Sequence, residues 1–239
     1  MTIKIADLSI KIYADGADKD GMLEMAKNPI VKGFTTNPTL MRKAGITDFE
    51  LFARDILINI PNHSISFEVF SDDFDEMYRQ ALKISSWGSN VYVKIPVTNT
   101  KGESSLKLIQ RLANDGIKQN ITAMMTLEQV QLVSNALSSS PPSYVSVFAG
   151  RIADTGFDPV PLMQSAVKII SVHPHLELIW ASPRELLNIF HANQIGCHII
   201  TVTNDILRKL SLCGKDLTQY SLETVQMFRN DAVNAGYQL

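Results

Sequence analysis

Val91-Tyr92-Val93-Lys94-Ile95-Pro96-Val97 has the composition of a buried β-strand with one charge at its centre. Strand side chains alternate between two faces, so the four aliphatic residues share one face and Lys94 shares the other with Tyr92 and Pro96. An ammonium group is costly to bury unless it is paired or loses its proton, and a neutral amine is a nucleophile. Two interpretations are open: an edge-strand lysine that reaches water, or a reactive lysine that faces a cavity.

The rest of the chain repeats this kind of strand, and each strand precedes a helical segment. β-Branched runs predict eight strands, at residues 10–15, 31–35, 64–69, 90–97, 118–123, 144–148, 176–181 and 198–202. Helical periodicity predicts a helix after each strand, at residues 19–27, 48–59, 74–85, 102–115, 127–137, 159–172, 183–192 and 205–210, and a last helix at 222–235. This order predicts an α/β fold, a single (β/α)8 TIM barrel with an extra C-terminal helix.

The length of the chain agrees with such a barrel. A single barrel domain has roughly 250 residues, and residues 1–239 are expected to form one domain without a linker. The alternative is an open, doubly wound sheet, which usually has a Gly-rich turn after its first strand. Gly16 alone does not provide that turn.

Composition narrows the classes of function. The net charge of −2 gives no overall basic field, so neither nucleic acid nor an anionic membrane is an expected partner. Cys197 and Cys213 match no metal-ligand spacing and are too few for a disulfide framework. No apolar run has the length of a secretory signal or of a membrane span of about 18 residues. We therefore predict a cytoplasmic protein with reduced thiols.

Polar side chains occupy the face of several strands that is not aliphatic. Because one face of each barrel strand points into the barrel, these side chains are candidates for one shared interior. They are Asp15, Glu68, Lys94, Asn120, Thr122 and Ser146. Each alone could be a strand-end residue that faces solvent. Together, a lysine, two carboxylates and hydroxyls indicate amine chemistry with proton shuttling, without a metal cluster.

Two later segments suit an anion. Arg151 follows the sixth strand, and Ser182-Pro183-Arg184 follows the seventh. Arginine forks match phosphate oxygens, and loops after the late strands of barrels often bind phosphate. The alternative is that both arginines pair with acids at the surface.

Five motifs, in order along the chain, resemble those of the transaldolase family and its close relatives, the small fructose-6-phosphate aldolases. They are Gly33-Phe-Thr-Thr-Asn-Pro-Thr-Leu40, Val93-Lys-Ile-Pro96, Asn120-Ile-Thr122, Ser146-Val-Phe-Ala-Gly-Arg151 and Ala181-Ser-Pro-Arg184. The resemblance covers most of the chain and implies a (β/α)8 barrel with class I aldol chemistry.

The resemblance also implies roles for individual residues. It implies that Lys94 forms a Schiff base with a donor ketose, and that Asp15 is the acid/base. Glu68 and Thr122 would hold a catalytic water. Residues that would bind the donor hydroxyls are Asn37, Asn120 and Ser146. Residues that would form the sugar-phosphate site are Arg151, Ser182 and Arg184. No cofactor and no metal are implied, and the family suggests a homo-oligomer, either a dimer or a decamer.

Two positions bear on the type of reaction. The resemblance places Glu68 and Phe148 where transaldolases carry these residues, whereas the aldolases tend to carry Gln and Tyr. This favours the transfer of a dihydroxyacetone unit from sedoheptulose 7-phosphate or fructose 6-phosphate to an aldose phosphate, as in the pentose phosphate pathway. The alternatives are an aldolase that releases free dihydroxyacetone, the same chemistry on a modified sugar such as a sulfonated one, and a non-catalytic sugar-phosphate sensor.

Overall fold

The computed structural model describes residues 5–138 and 140–238, and it contains a closed barrel of eight parallel strands. The strands are β1 (Lys11–Asp15), β2 (Val31–Thr35), β3 (Ser64–Glu68), β4 (Val91–Pro96), β5 (Gln119–Met124), β6 (Ser143–Val147), β7 (Leu176–Trp180) and β8 (Ile199–Thr203). They pair in chain order, and β8 pairs with β1 to close the barrel. The predicted (β/α)8 barrel is confirmed, and the open sheet is wrong. The stretch Ser-Ser-Ser-Pro-Pro at 138–142 predicts a loop before β6, and its residue 139 lies outside the described residues.

Helices follow the strands around the outside of the barrel. They are α1 (Lys19–Ala26), α2 (Pro38–Lys43), α3 (Phe49–Asn59), α4 (Phe74–Ser85), α5 (Leu106–Asn114), α6 (Leu127–Ala136), α7 (Ala149–Asp154), α8 (Pro159–Ile170), α9 (Leu187–Gln194), α10 (Asn204–Arg208) and α11 (Leu217–Asn234). Short 3-10 turns cover Ile5–Asp7 and Lys209–Leu212. Thr126 and Gln129 form the capping box that their spacing predicts at the start of α6.

The strand faces separate an apolar shell from a polar interior. Outward side chains such as Phe67, Val93 and Ile121 are fully buried against the helices. At the N-terminal half of the interior, the rings of Tyr92 and Tyr144 stack with centroids 4.0 Å apart. The Tyr144 hydroxyl lies 2.9 Å from that of Tyr13. This aromatic layer fills the barrel below Lys94, so only its C-terminal half remains for polar residues.

Three predicted helix starts are wrong, and local hydrogen bonds explain each difference. α5 begins at Leu106 rather than 102, because the Asn99 carboxamide oxygen accepts from the backbone of Lys101 and Glu103 and holds a loop there. α9 begins at Leu187 rather than 183, because Asn188 makes the same kind of bonds to the preceding loop. α11 begins five residues before the predicted position, because Asp216 caps it.

Two short helices, α2 and α7, are absent from the prediction. Asn37 caps α2 by accepting a hydrogen bond of 2.9 Å from the Leu40 backbone, and Pro38 occupies the first helical position. α7 follows Phe148 directly, with its first residues buried. Both helices lie at the C-terminal ends of strands, so they shape the loops that surround the barrel mouth.

The last helix is unlike the others because none of its residues is buried. Leu217, Val225 and Phe228 are 79 %, 61 % and 62 % exposed. Over the described residues, no helix combines the length and apolarity that crossing a membrane requires. The apolar side chains of α11 are therefore an exposed surface of this protomer.

Candidate active site

Lys94 lies inside the barrel at the middle of β4. Its side chain is only 8 % exposed, and its Nζ lies 3.0 Å from Glu68 Oε2 on the neighbouring strand β3. Nζ also donates a hydrogen bond of 2.8 Å to the Thr36 carbonyl. The flanking residues Val93 and Ile95 are fully buried on the opposite face, so packing fixes the direction in which Lys94 points. The interpretation as an edge-strand lysine is wrong.

Asp15 stands at the end of β1 on the same interior. The Thr35 hydroxyl donates a hydrogen bond of 2.7 Å to its Oδ1. Burial raises the pKa of the Asp15 carboxyl. The positive charge of Lys94 and the hydrogen bond from Thr35 lower that pKa, but they offset the effect of burial only in part. The negative charge of Glu68 raises that pKa further. Asp15 is therefore a half-buried carboxyl that takes up a proton more readily than a fully exposed one.

A chain of polar side chains crosses the interior beside Lys94. Ser146 on β6 donates to the Asn120 carboxamide oxygen over 2.6 Å, and the Asn120 amide donates to Ser66 Oγ over 3.0 Å. Asn120 is the register partner of Lys94 on β5, and Thr122 is the partner of Pro96. Asn120, Thr122 and Ser146 are all buried. Two adjacent strands, β5 and β6, thus bring the predicted hydroxyl and amide groups to one wall of the cavity.

The two arginines occupy a rim built from the loop after β7 and the start of α7. Arg184 pairs with Asp154 through both carboxylate oxygens, and its Nη1 lies 3.1 Å from Ser182 Oγ. This pairing holds the pKa of the Asp154 carboxyl below its ordinary value. Arg151 lies over the Phe148 ring, with 5.8 Å from its Cζ to the ring centroid. Of the two alternatives for the arginines, pairing with an acidic residue therefore holds for Arg184, whose partner is Asp154. Arg184 also contacts the Ser182 hydroxyl.

Close contact of two backbones brings this rim together. A Cβ built on Gly150 would lie 1.6 Å from the Ser182 carbonyl oxygen, so only glycine fits there. Ser182 itself has a left-handed backbone with φ of 59°. The loop after β7 thus holds Ser182 and Arg184 against α7, the helix that also carries Arg151.

The predicted site residues fall into two groups. Inside the barrel are Asp15, Glu68, Lys94, Asn120, Thr122 and Ser146. Around the mouth are Asn37, Phe148, Arg151, Ser182 and Arg184. Asn37 is engaged as the cap of α2 through its oxygen, which orients its amide group.

Three neighbours of the site were missed from sequence. Thr35 and Thr201 lie in a hydrogen-bonded chain that ends on Asp15, and Asp154 holds Arg184. The signal for Thr201 was present, because it is a polar residue on the inward face of an apolar strand. Asp154 gave no such signal.

The arrangement combines one amine, two carboxylates and several hydroxyls in a space enclosed by the barrel. Such a set can form and hydrolyse an imine while protons move between neighbouring oxygens. Within the described parts of the chain, no group of three or more His, Cys, Asp or Glu side chains is placed to hold a metal ion.

Comparison with known proteins agrees with this geometry. Residues 12–239 match the family model described as Transaldolase/Fructose-6-phosphate aldolase. A protein of Dehalococcoides mccartyi named "Probable transaldolase" is 33% identical over 202 residues, which are 84% of this chain and 90% of the relative. Another so named, from Thermoanaerobacter sp., is 32% identical over 231 residues, 96% of this chain and 100% of the relative.

Solved structures support the architecture. The 3-hexulose-6-phosphate synthase of Salmonella typhimurium has a TM-score of 0.57 and 13% identity, covering 83% of this chain and 91% of its own. At this identity the likeness concerns the fold alone. The match over residues 12–239 and the relatives above 30% identity decide the family. The chain belongs to the transaldolase/fructose-6-phosphate aldolase family, which confirms the resemblance and the prediction of a transaldolase-type enzyme.

Proposed function

We propose that this protein transfers a dihydroxyacetone unit from a ketose phosphate to an aldose phosphate through a Schiff base on Lys94. The donor is fructose 6-phosphate or sedoheptulose 7-phosphate. The observation that carries the proposal is the buried Lys94 amino group, 3.0 Å from the Glu68 carboxylate. A lysine so enclosed has a proton acceptor at hand and little competing water.

The first step joins enzyme and donor. The neutral Lys94 amine attacks C2 of the ketose, and the proton it loses passes to the former carbonyl oxygen, giving a carbinolamine. Glu68, which takes the ammonium proton of Lys94 before the attack, returns it to that hydroxyl, which leaves as water and gives a positively charged iminium. Glu68 and Thr122 are proposed to hold the water that relays these protons; Glu68 contacts Lys94 directly, and Thr122 lies one strand further on.

The second step breaks the C3–C4 bond of the donor. Asp15 takes the proton of the C4 hydroxyl, and the bonding electrons move into the iminium to give an enamine and a free aldose phosphate. The raised pKa of the Asp15 carboxyl suits it to accept a proton and to return it later. Addition of an acceptor aldehyde to the enamine, and hydrolysis of the new iminium, complete the transfer.

The remaining polar groups are proposed to bind the substrate. Asn120 and Ser146, already joined by a hydrogen bond, face the cavity beside Lys94 and suit the hydroxyls of the three-carbon unit. Asn37 is proposed to act with them. At the mouth, Arg151, Ser182 and Arg184 suit a phosphate. The iminium is the electron sink of this chemistry, so the proposal requires no cofactor.

Trapping the imine tests the proposal. Incubation with fructose 6-phosphate and borohydride should leave a three-carbon adduct on the peptide that contains Lys94. Lys94→Met should lose both adduct and turnover. Lys11→Met is the matched control, because Lys11 also pairs with a glutamate, Glu177 at 2.8 Å, but at the opposite end of the barrel. A folded parent protein that forms no adduct would refute the Schiff base.

Transfer and free cleavage give different products. A transaldolase forms product at a useful rate only with an acceptor, whereas an aldolase releases dihydroxyacetone without one. Phe148 has no hydroxyl to protonate the enamine, which favours transfer. Phe148→Tyr should therefore increase the release of dihydroxyacetone in the absence of acceptor. The remaining alternative is the same chemistry on a modified sugar. A screen of donors and acceptors that includes a sulfonated sugar distinguishes it from transfer between sugar phosphates.

We also propose that the 239 residues act as one barrel domain in a cytoplasmic homo-oligomer within pentose phosphate metabolism. The apolar side chains of α11 support self-association, because an 18-residue helix spans about 27 Å and leaves none of its residues buried in the protomer. Val225→Asp with Phe228→Asp should lower the mass measured by light scattering. Val172→Asp, which changes a valine elsewhere that is 71 % exposed against 61 % for Val225, is the control.

A further inference from the structure

Two threonine hydroxyls form a chain that ends on Asp15. Thr35 Oγ1 donates to Asp15 Oδ1 over 2.7 Å, and Thr201 Oγ1 is hydrogen-bonded to Thr35 Oγ1. Both threonines are buried, with 4 % and 6 % of their surface exposed. A hydroxyl has a single proton, and Thr35 gives its proton to the carboxylate. Thr201 must therefore be the donor to Thr35, so the chain runs Thr201 to Thr35 to Asp15.

We propose that Thr201 is a positioning residue that acts through Thr35 to hold the Asp15 carboxylate in place and in its ionised form. The inference rests on the proposed function, in which Asp15 takes a proton from the substrate. Thr35 occupies Oδ1, so the assigned proton acceptor is Oδ2. A donor whose own oxygen accepts a hydrogen bond is a stronger donor, which is how a residue that does not touch Asp15 can act on it.

The groups around Asp15 have opposing effects on the charge of its carboxyl, so the hydroxyl chain affects the balance between them. Burial and the Glu68 charge on β3 favour the protonated carboxyl, whereas the Lys94 charge on β4 and the Thr35 hydroxyl on β2 favour the carboxylate. Once Lys94 has become part of an uncharged enamine, its charge is no longer available. In that state Asp15 holds the proton it took from the substrate, and the two hydroxyls keep its side-chain rotamer fixed until the proton returns to the acceptor; before cleavage they help Lys94 to stabilise the carboxylate.

The test is a double-mutant cycle read through the pH dependence of kcat/KM. Thr35→Val should shift the acidic limb upward by roughly one to two pH units, the range expected for the loss of one hydrogen bond to a charged group. Thr201→Val should shift the limb in the same direction by less. Because Thr201 acts only through Thr35, Thr201→Val should add nothing in the Thr35→Val background.

Controls separate positioning from general damage. Thr201→Ser should return the limb to the position of the parent. Thr203→Val alters the same strand, but the Thr203 hydroxyl bonds to Asp205, so it should leave the limb unmoved. Should Thr201→Val not fold, Thr201→Ala replaces it. Equal shifts in both backgrounds, or no shift for a folded Thr201 variant, would overturn the inference.

A readout without turnover keeps this inference separate from the proposed function. Carbon-13 NMR of the Asp15 carboxyl, assigned by its loss in Asp15→Asn, reports its titration directly. The pKa of Asp15 should rise in Thr201→Val and not in Thr203→Val. If the parent forms no adduct on Lys94 but this rise is seen, the hydroxyl chain stands and the proposed reaction fails. Activity with an unchanged titration refutes the chain alone.

Discussion

Gly150→Ala is expected to disable the anion-binding rim while leaving the barrel interior intact. Gly150 is the second residue of α7, and its Cα faces the Ser182 carbonyl across a gap with no room for a methyl group. The change adds one methyl group and no polarity. Its effect therefore reports only on how tightly the loop after β7 lies against α7.

The size of the effect follows from the distances. The new Cβ would lie 1.6 Å from Ser182 O, and a carbon–oxygen contact needs about 3.3 Å, so the two backbones must separate by about 1.7 Å. Ser182 already has a left-handed backbone and has little freedom to relax. Overpacking of this kind costs about 1–3 kcal/mol of unfolding free energy. Displacing a substrate-positioning group by 1 Å can cost about 100-fold in rate.

Urea unfolding and steady-state kinetics measure both effects. Gly156→Ala is the matched control, because Gly156 follows the same helix in open space with φ of 85°, where alanine costs about 1–2 kcal/mol of strain without a clash. We expect both variants to lose stability. Only Gly150→Ala should raise KM for phosphorylated donors by about tenfold or more, since only it moves Ser182 and Arg184.

Borohydride trapping adds an internal check, because Lys94 lies outside the displaced rim. High concentrations of donor should still load Lys94 in Gly150→Ala. If the variant keeps the KM of the parent, or shifts it no more than Gly156→Ala does, then the contact between α7 and the β7 loop does not position the arginines. The assignment of this rim to the phosphate would then be unfounded.

Three further changes test separate parts of the structure. Folding raises the pKa of Asp15, so the unfolding free energy of the parent falls as the pH rises toward and through the folded pKa. Asp15→Asn should remove this fall. In urea unfolding, the variant should be as stable as the parent at acidic pH and more stable than the parent at neutral pH. Thr126→Ala should lose about 1 kcal/mol through the capping box, whereas Thr224→Ala on exposed α11 should not. Tyr144→Phe should lose about 1 kcal/mol through the hydroxyl pair with Tyr13.

Much of the site could be predicted because strand periodicity is a local property. Alternation alone assigned Glu68, Lys94, Asn120 and Ser146 to one face, since a strand turns each successive side chain to the other side. The number of strand–helix units then predicted the barrel. Helix starts were less predictable, as α9 illustrates: a side chain, Asn188, holds the residues before it in a loop by bonds that periodicity does not report.

Sequence by itself determined the order of the elements, the inward set of side chains and the family of the protein. Only the tertiary structure decided which of these groups touch. Thr201 lies 186 positions along the chain from Asp15, yet closure of β8 on β1 brings it to the hydroxyl chain that ends on that carboxylate. Likewise, Asp154 reaches Arg184 because Gly150 lets two backbones approach. Such pairings depend on barrel closure and packing, which act between residues that are distant in the chain.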